Sequence, residues 1–584
     1  EQLVARCKQA GVPFALHDNY IDFYPDADGF SYEQNTAFHR DGTPVKAWLN
    51  EGRGARSYRY RSDRVEPYLR RNLHLIHEGL APSAYFIDVW SSTRPYDYWT
   101  ADGRFFDRVY SRTSWGEHFA WIRELLGAGA PQISESGHDQ LIGWLDGAQT
   151  NHLRVGPPEG EGRYRWAVWD WKCADAERTP WFDVAHHDRF ILHGAGYSSR
   201  YQGGLDARLH GIYSDDYVTT EVLTGHPAMV PGPFGRDVVR KYWLLQGLAR
   251  ALALRTIESV EYTGDDLHRQ HVRWSGGGDV WVNRGERDWD VAGATLPQYG
   301  FLARVPTDDG PVETSLARRD GVITEMARSP KQLYVNGRQV VDRQLPIRLS
   351  VGGVKHLGDR RFEMALQWQA DVPVPDGYRP FLHFCDAQGE IVFQGSQQPS
   401  FGEGGQGGIA ARGFAEIPTA VSTDETVELR IGFYKPSGGR RLALAGPGDG
   451  TGRIRIGAIH LEGEADKITG ITWRPHQPQP DPRLARLNPE GKPIDFGPVV
   501  TAGACYLARD GNALLITPLP GERVPEFTVQ LRWGDLPWKL PEPKRVEGIA
   551  EDGAVIDRQP VRRDAGAVVI ECKPGVFAYR VVGG

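Results

Sequence analysis

The sequence predicts a multidomain chain, a (β/α)8-type barrel up to about residue 257 followed by all-β sandwich domains. At 584 residues the chain is too long for one hydrophobic core. Its first part alternates helical periodicity with short apolar runs that end in polar residues. After about residue 258 the runs become short and alternating, set between Gly, Asp and Pro turns.

Residues 1–10 read as the end of a helix closed by Gly11, and Val12 to Asp18 as a short apolar run with a polar end. A helix is predicted over 63–79, with Val65, Leu69, Leu73 and Ile76 at helical spacing and Gly79 as its stop. Ala84 to Trp90 follows as a strand. A second helix over about 114–127 carries Phe119, Ile122, Leu125 and Leu126, and leads through Gly127 and Gly129 into Pro131-Gln-Ile-Ser-Glu135. Two further stretches, 181–188 and 216–223, come next, the first read as a strand ending at His187-Asp188. A long helix over 236–257 closes the region. In a barrel the reactive groups sit where strands end, which is where His17-Asp18, Asp88, Glu135 and His187-Asp188 fall. A doubly wound sheet shares this rhythm, but no glycine-rich phosphate loop follows any strand. Only five or six barrel strands can be counted, so the N-terminal strands are expected to be missing from this chain.

Beyond the barrel, Gly278 to Asn283 and Gly300 to Val305 are short alternating strands. Strands at 362–368, 381–384 and 427–433 mark a separate β-sandwich, with a glycine-rich turn at 402–408. A proline-rich linker from Pro475 to Pro482 precedes a last β region. The expected domains are a catalytic barrel over 1–257, a β domain packed on it over 258–346, a sandwich module over 347–465, and a linker with a C-terminal β domain over 466–584.

Composition narrows the function. A net charge of −7 supplies no basic face for nucleic acid and no polybasic membrane patch. No apolar run is long enough to span a bilayer. The five cysteines are scattered without a CxxC pair, which argues against a disulfide framework or a cysteine zinc site. The 18 Trp and 23 Tyr favour carbohydrate, because rings stack on pyranose faces, although large cores bury many Trp as well.

Asp88 is the sharpest candidate for chemistry. A carboxylate at the end of an apolar strand is costly unless solvated, paired or used. Trp90 and Ser91-Ser92 follow it, suiting a cleft floor with a stacking ring. Glu135, in Ile133-Ser-Glu-Ser-Gly-His138, stands where a second buried run opens into a turn. One helix–strand unit separates the two acids, so in a barrel they would project from neighbouring strands into one cleft. The bland alternatives are a cap or ion pair for Asp88 and a helix-start glutamate for Glu135. His17, Asp18 and Tyr20, with His187 and Asp188, form two polar clusters suited to sugar hydroxyls. Neither has a recognised metal-ligand spacing, so no metal ligand is assigned. A structural calcium is conceivable on Asp22, Asp26 and Asp28, a run that reads equally as a solvated turn. GxSxG is absent, and neither Cys7 nor Cys173 has suggestive neighbours, so acyl transfer has no support.

Tyr85-Phe-Ile-Asp-Val-Trp90, followed after one helix by Ile133-Ser-Glu135, resembles the α-N-acetylgalactosaminidase-like glycosidases, that is glycoside hydrolase families 101 and 129 and their uncharacterised relatives. The resemblance covers roughly residues 11–305. It implies an amylase-like barrel with a nucleophilic Asp ending the fourth strand and an acid/base Glu ending the fifth. Asp88 and Glu135 take those roles, and His17-Asp18 then ends the third strand. Ser91 stands where the mucin-acting members carry glycine, so the reaction class transfers better than the sugar. The expectation is therefore a retaining glycoside hydrolase of an α-linked sugar, α-GalNAc or α-galactose, needing no cofactor and taking a glycan as substrate. A secreted or periplasmic place is favoured over the cytoplasm. The rival readings are a non-catalytic glycan-binding protein with a decayed barrel and an inverting or transglycosylating enzyme on another polysaccharide.

Overall fold

The computed structural model describes residues 2–135, 139–149, 180–193, 210–230, 234–339 and 345–583, the last except 388, 400–403, 424, 437–440, 443, 445–451, 465–466, 477–484, 489 and 521–525. The fold is multidomain and mostly β, with one parallel α/β sheet. Cys173 and the linker from 477 lie outside the described residues.

Five strands, Ala15–Asn19, Ala84–Asp88, Gln132–Ser134, Gly147–Gln149 and Ile191–His193, form the parallel sheet in the order in which they occur along the chain. A doubly wound sheet reverses its order at a switch point, and this one does not. The described residues supply these five parallel strands; a closed eight-stranded barrel is not seen among them. The helices Glu66–Leu80 and Arg108–Leu126 cover one face, where Leu69, Leu73, Phe119 and Ile122 share a core with Tyr85, Ile87, Ala148 and Leu192. Pro67 in the first turn suits the start of the first helix, since its missing N–H is not needed there. The Asp107 carboxylate caps the second, accepting from the Tyr110 amide at 2.8 Å.

Several boundaries differ from the sequence reading. The first of these helices runs through Gly79 and stops at Ala81, which takes the left-handed conformation at φ 47. The second begins at Arg108, six residues before the expected 114. The stretch 181–188 is not a strand: Trp181–His186 is a short helix, and Asp215–Thr224 is a helix capped by Ser214. The strands read there are replaced by Gly147–Gln149 and Ile191–His193. The closing helix ends at Leu252, and Ile257 already opens a strand.

Between the first parallel strand and its helix, Asp22–Phe23, Lys46–Asn50 and Ala55–Arg59 form a small antiparallel sheet. Further on, strands from 257–336 and from 504–583 join in one antiparallel sheet, linked where Gln332–Asn336 pairs with Ala504–Asp510. The helices Asp215–Thr224 and Arg236–Leu252 pack on its first half around Trp274, Val280, Phe301 and Leu316. Between the two halves the chain makes a separate sandwich from Ile347 to Pro475 around Trp368, Phe384 and Phe433. No helix among the described residues is long and apolar enough to cross a membrane.

A buried ionic network joins helices to sheet. Glu325 accepts from Arg240 Nε at 2.9 Å and from Arg338 at 2.5 Å, while Arg338 also pairs with Asp215 at 2.7 Å. Burial works against the charged form of Glu325, yet Arg240 and Arg338 outweigh it and bring its carboxyl down to about 2.

Candidate active site

The register of the parallel sheet decides which side chains can meet. Phe86 lies beside Ile133 and Ile87 beside Ser134, so Asp88 and Glu135 stand at adjoining strand ends. Because side chains alternate along a strand, His17, Phe86, Asp88, Ile133 and Glu135 share one face. Asp18, Tyr85, Ile87 and Ser134 point to the other, against the helices.

On the first face Asp88 keeps 22% of its side chain exposed, while Glu135 is 7% exposed. The Ser92 hydroxyl donates to Glu135 Oε2 at 2.7 Å, and the Val89 amide donates to the same carboxylate. Burial pushes the Glu135 carboxyl above its ordinary range; the Ser92 hydrogen bond works against this, and the negative charge of Asp88 adds to it. Val89 has φ 66, and the Trp90 amide closes back on the Asp88 carbonyl at 2.8 Å. This is a γ-turn of the rare positive-φ kind, strained for a β-branched residue. It sits between the two carboxylates and aims one of the donors that hold Glu135. His17 lies on the same face, with Nε2 3.5 Å from Asp88 Oδ1 and its ring stacked on Phe86 at 5.1 Å.

The other expected site residues lie elsewhere. Asp18 is behind the sheet, where it accepts from the hydroxyls of Tyr20 and of Tyr85, the latter at 3.0 Å. Asn72, from the first covering helix, donates to the Tyr20 oxygen at 3.2 Å. Burial, with the Asp18 charge beside them, pushes both tyrosine hydroxyls far up, so they stay donors. Trp90 is fully buried, stacked on Trp115 at 5.8 Å and edge-on to Phe119, so its faces belong to the core. His187 is buried at the end of a helix, its ring nitrogens 3.0 Å and 3.4 Å from the carbonyls of Arg255 and Gly225, with Trp274 packed against it. Asp188 pairs with its neighbour Arg189 at 3.2 Å. Of the acidic run, Asp26 pairs with Arg53 and Asp28 with Arg71, and no three metal-binding side chains gather among the described residues. Sequence reasoning missed the roles of Ser92 and the Val89 amide. Ser91-Ser92 was legible only as a polar pair after a strand, and a backbone turn at a valine leaves no sequence signal.

No protein-family model and no curated protein matches this chain. Among solved structures it is similar to α-N-acetylgalactosaminidase NagBb from Bifidobacterium bifidum, free of ligand, at 20% identity with a TM-score of 0.37. It is also similar to the GalNAc complex of that enzyme, at 19% identity and the same TM-score. Each match covers 48% of this chain and 42% of that one, less than half of either protein.

Proposed function

We propose that this chain is a retaining glycoside hydrolase in which Asp88 is the nucleophile and Glu135 the acid/base. The observation that carries the reading is the pairing of two carboxyls on one face of adjoining strand ends, one of them more open and the other buried and pushed toward its protonated form. Adjacent strands lie about 4.8 Å apart, a spacing from which two carboxyls can reach the roughly 5–5.5 Å separation of retaining enzymes. Asp88 attacks the anomeric carbon and the glycosidic C–O bond breaks, while Glu135 gives its proton to the departing oxygen. The sugar is then held as an ester of Asp88. Glu135, now ionised, takes a proton from water as that water attacks the anomeric carbon, and the Asp88 carboxylate leaves. The Ser92 and Val89 donors steady Glu135 in its ionised half of the cycle.

An α-linked substrate, α-GalNAc or α-galactose on a glycan, follows from the motif resemblance. In this reading residues 1–257 act as the catalytic unit, 258–346 as its β platform, 347–465 as an accessory module, and 466–584 as linker and closing β domain. A secreted or periplasmic place accords with a glycan substrate. The test is hydrolysis of a panel of aryl α- and β-glycosides by wild type, Asp88→Ala and Glu135→Ala. Turnover of one α-glycoside, lost in Asp88→Ala and restored by azide as a glycosyl azide, is the expected result. Glycan binding unchanged in both variants, with no turnover by wild type, would replace this reading with that of a binding protein.

A further inference from the structure

The small antiparallel sheet places one unused acid, Asp22, near Asp88, and Arg59 beside that acid. Asp22 follows Asn19 by three residues, and Asn19 is the register partner of Asp88. Asp22 is in turn paired with Arg59 across the small sheet, with the buried Ser57 hydroxyl against its carboxylate. Burial raises the Asp22 carboxyl; Ser57 and Arg59 oppose that, and the charge of Asp88 reaches it and adds to the rise. The Arg59 guanidinium lies between the rings of Trp48, at 6.0 Å, and Tyr96, at 5.9 Å. Its Nη1 is buried without a hydrogen-bond acceptor among the described residues. A buried donor in that state is costly, and an acceptor on a ligand would relieve it.

Resting on the glycosidase reading, we infer that Asp22 and Arg59 form a recognition site for the hydroxyls of a neutral sugar on the glycone side of Asp88. The sheet order fixes the side. The strand ending at Asp88 has Glu135 on one flank and the strand leading to Asp22 on the other. The leaving group belongs beside the proton donor, so the opposite flank reads the sugar that is transferred. A carboxylate accepts from two hydroxyls, a guanidinium donates to a hydroxyl or carbonyl oxygen, and the Trp48 ring offers an apolar wall. The guanidinium beside Asp22 disfavours a cation there. Three carboxyls, Asp22, Asp88 and Glu135, gather here against one guanidinium, so the site favours a neutral sugar over an anionic one.

The test combines binding and turnover. Galactose, N-acetylgalactosamine, glucose and galacturonate are titrated calorimetrically into wild type, Asp88→Asn, Asp22→Asn and Arg59→Lys, after thermal melts establish that each is folded. Aryl glycosides of graded leaving-group acidity give kcat/KM for the same proteins. The expected result is binding of a neutral sugar by wild type and Asp88→Asn, weakened about 10- to 100-fold by loss of a charge-assisted hydrogen bond in Asp22→Asn. The kcat/KM of Asp22→Asn falls equally across leaving groups, because the glycone contact is common to all. Binding and kcat/KM within twofold of wild type in both Asp22→Asn and Arg59→Lys overturn the inference and leave the glycosidase reading intact. Neutral-sugar binding that needs Asp22, without any turnover by wild type, overturns the glycosidase reading and keeps this site. Tight galacturonate binding overturns the charge argument. Arg59→Lys keeps the charge and serves should Asp22→Asn fail to fold.

Discussion

Val89 holds a positive φ that a β-branched residue adopts at a cost of roughly 1–3 kcal/mol. Its side chain is also buried, which contributes about 1.5–3 kcal/mol. Glycine relieves the first term and forfeits the second. Val89→Gly should therefore unfold in urea within about 1–2 kcal/mol of wild type, while its kcat drops because the freed turn no longer aims its amide at Glu135. Glu135 itself gives a signed pH prediction. Its carboxyl is raised in the folded protein by burial, so the protonated form favours folding at low pH, and that advantage is lost as pH rises through the raised value. Glu135→Gln stays neutral throughout. Its melting temperature should exceed that of wild type by an amount that widens as pH rises above the ordinary carboxyl value of 4.5; a constant gap would contradict a raised Glu135. The same substitution should cut kcat/KM about 10²- to 10⁴-fold with poor leaving groups and far less with dinitrophenolate. At this scale the sequence spoke clearly for Asp88 and Glu135, since a carboxylate ending an apolar run is chemically conspicuous. It was silent on which face each polar residue takes, because that depends on inter-strand register.

The strand Ala15–Asn19 shows what that register decides. Asp18 and His17 are sequence neighbours, yet one ties the back of the sheet to a helix and the other borders Asp88. Asp18→Ala removes the acceptor of two tyrosine hydroxyls, a loss of about 1–3 kcal/mol for each donor left buried. The expected outcome is a lower urea midpoint with KM for an aryl glycoside close to that of wild type. A large rise in KM without destabilisation would return Asp18 to the sugar. The strands Gly147–Gln149 and Ile191–His193 escaped the sequence reading for a physical reason: three residues are too few to show a period. The composition of Asp215–Thr224 hides its helix. Every residue in it is buried and it carries Val218, Thr219, Thr220 and Val222, which resembles a sheet-core run. The cue it did offer was Ser214 ahead of two aspartates, a helix start whose hydroxyl accepts from the Tyr217 amide.

Across the whole molecule, the network of Asp215, Arg240, Glu325, Arg338 and Arg486 links segments far apart in sequence. Glu325→Ala leaves the buried guanidinium groups of Arg240 and Arg338 to share Asp215 alone and should cost about 3–5 kcal/mol in urea unfolding. Because Arg240 and Arg338 hold its carboxyl at about 2, the stability Glu325 contributes is full above the ordinary value of 4.5 and is lost as pH falls toward 2. Acid unfolding followed by tryptophan fluorescence should therefore begin at higher pH in Glu325→Ala. The multidomain β character was legible from turn spacing and alternation, but the partnership of distant strands was not, since no local pattern encodes it. Val335 pairs with Cys505, 170 positions later. At ribosomal speeds of 5–20 residues per second, the strand Gln332–Asn336 waits roughly 10 to 30 seconds for its partner to be made. Through that interval its bare edge is exposed to other nascent chains. The intervening sandwich shortens the risk, because Arg338 and Gln339 on its entry side meet Asn488 on its exit side. Once it has folded, a long loop is reduced to a short one, and the late strand emerges already beside the edge it must close.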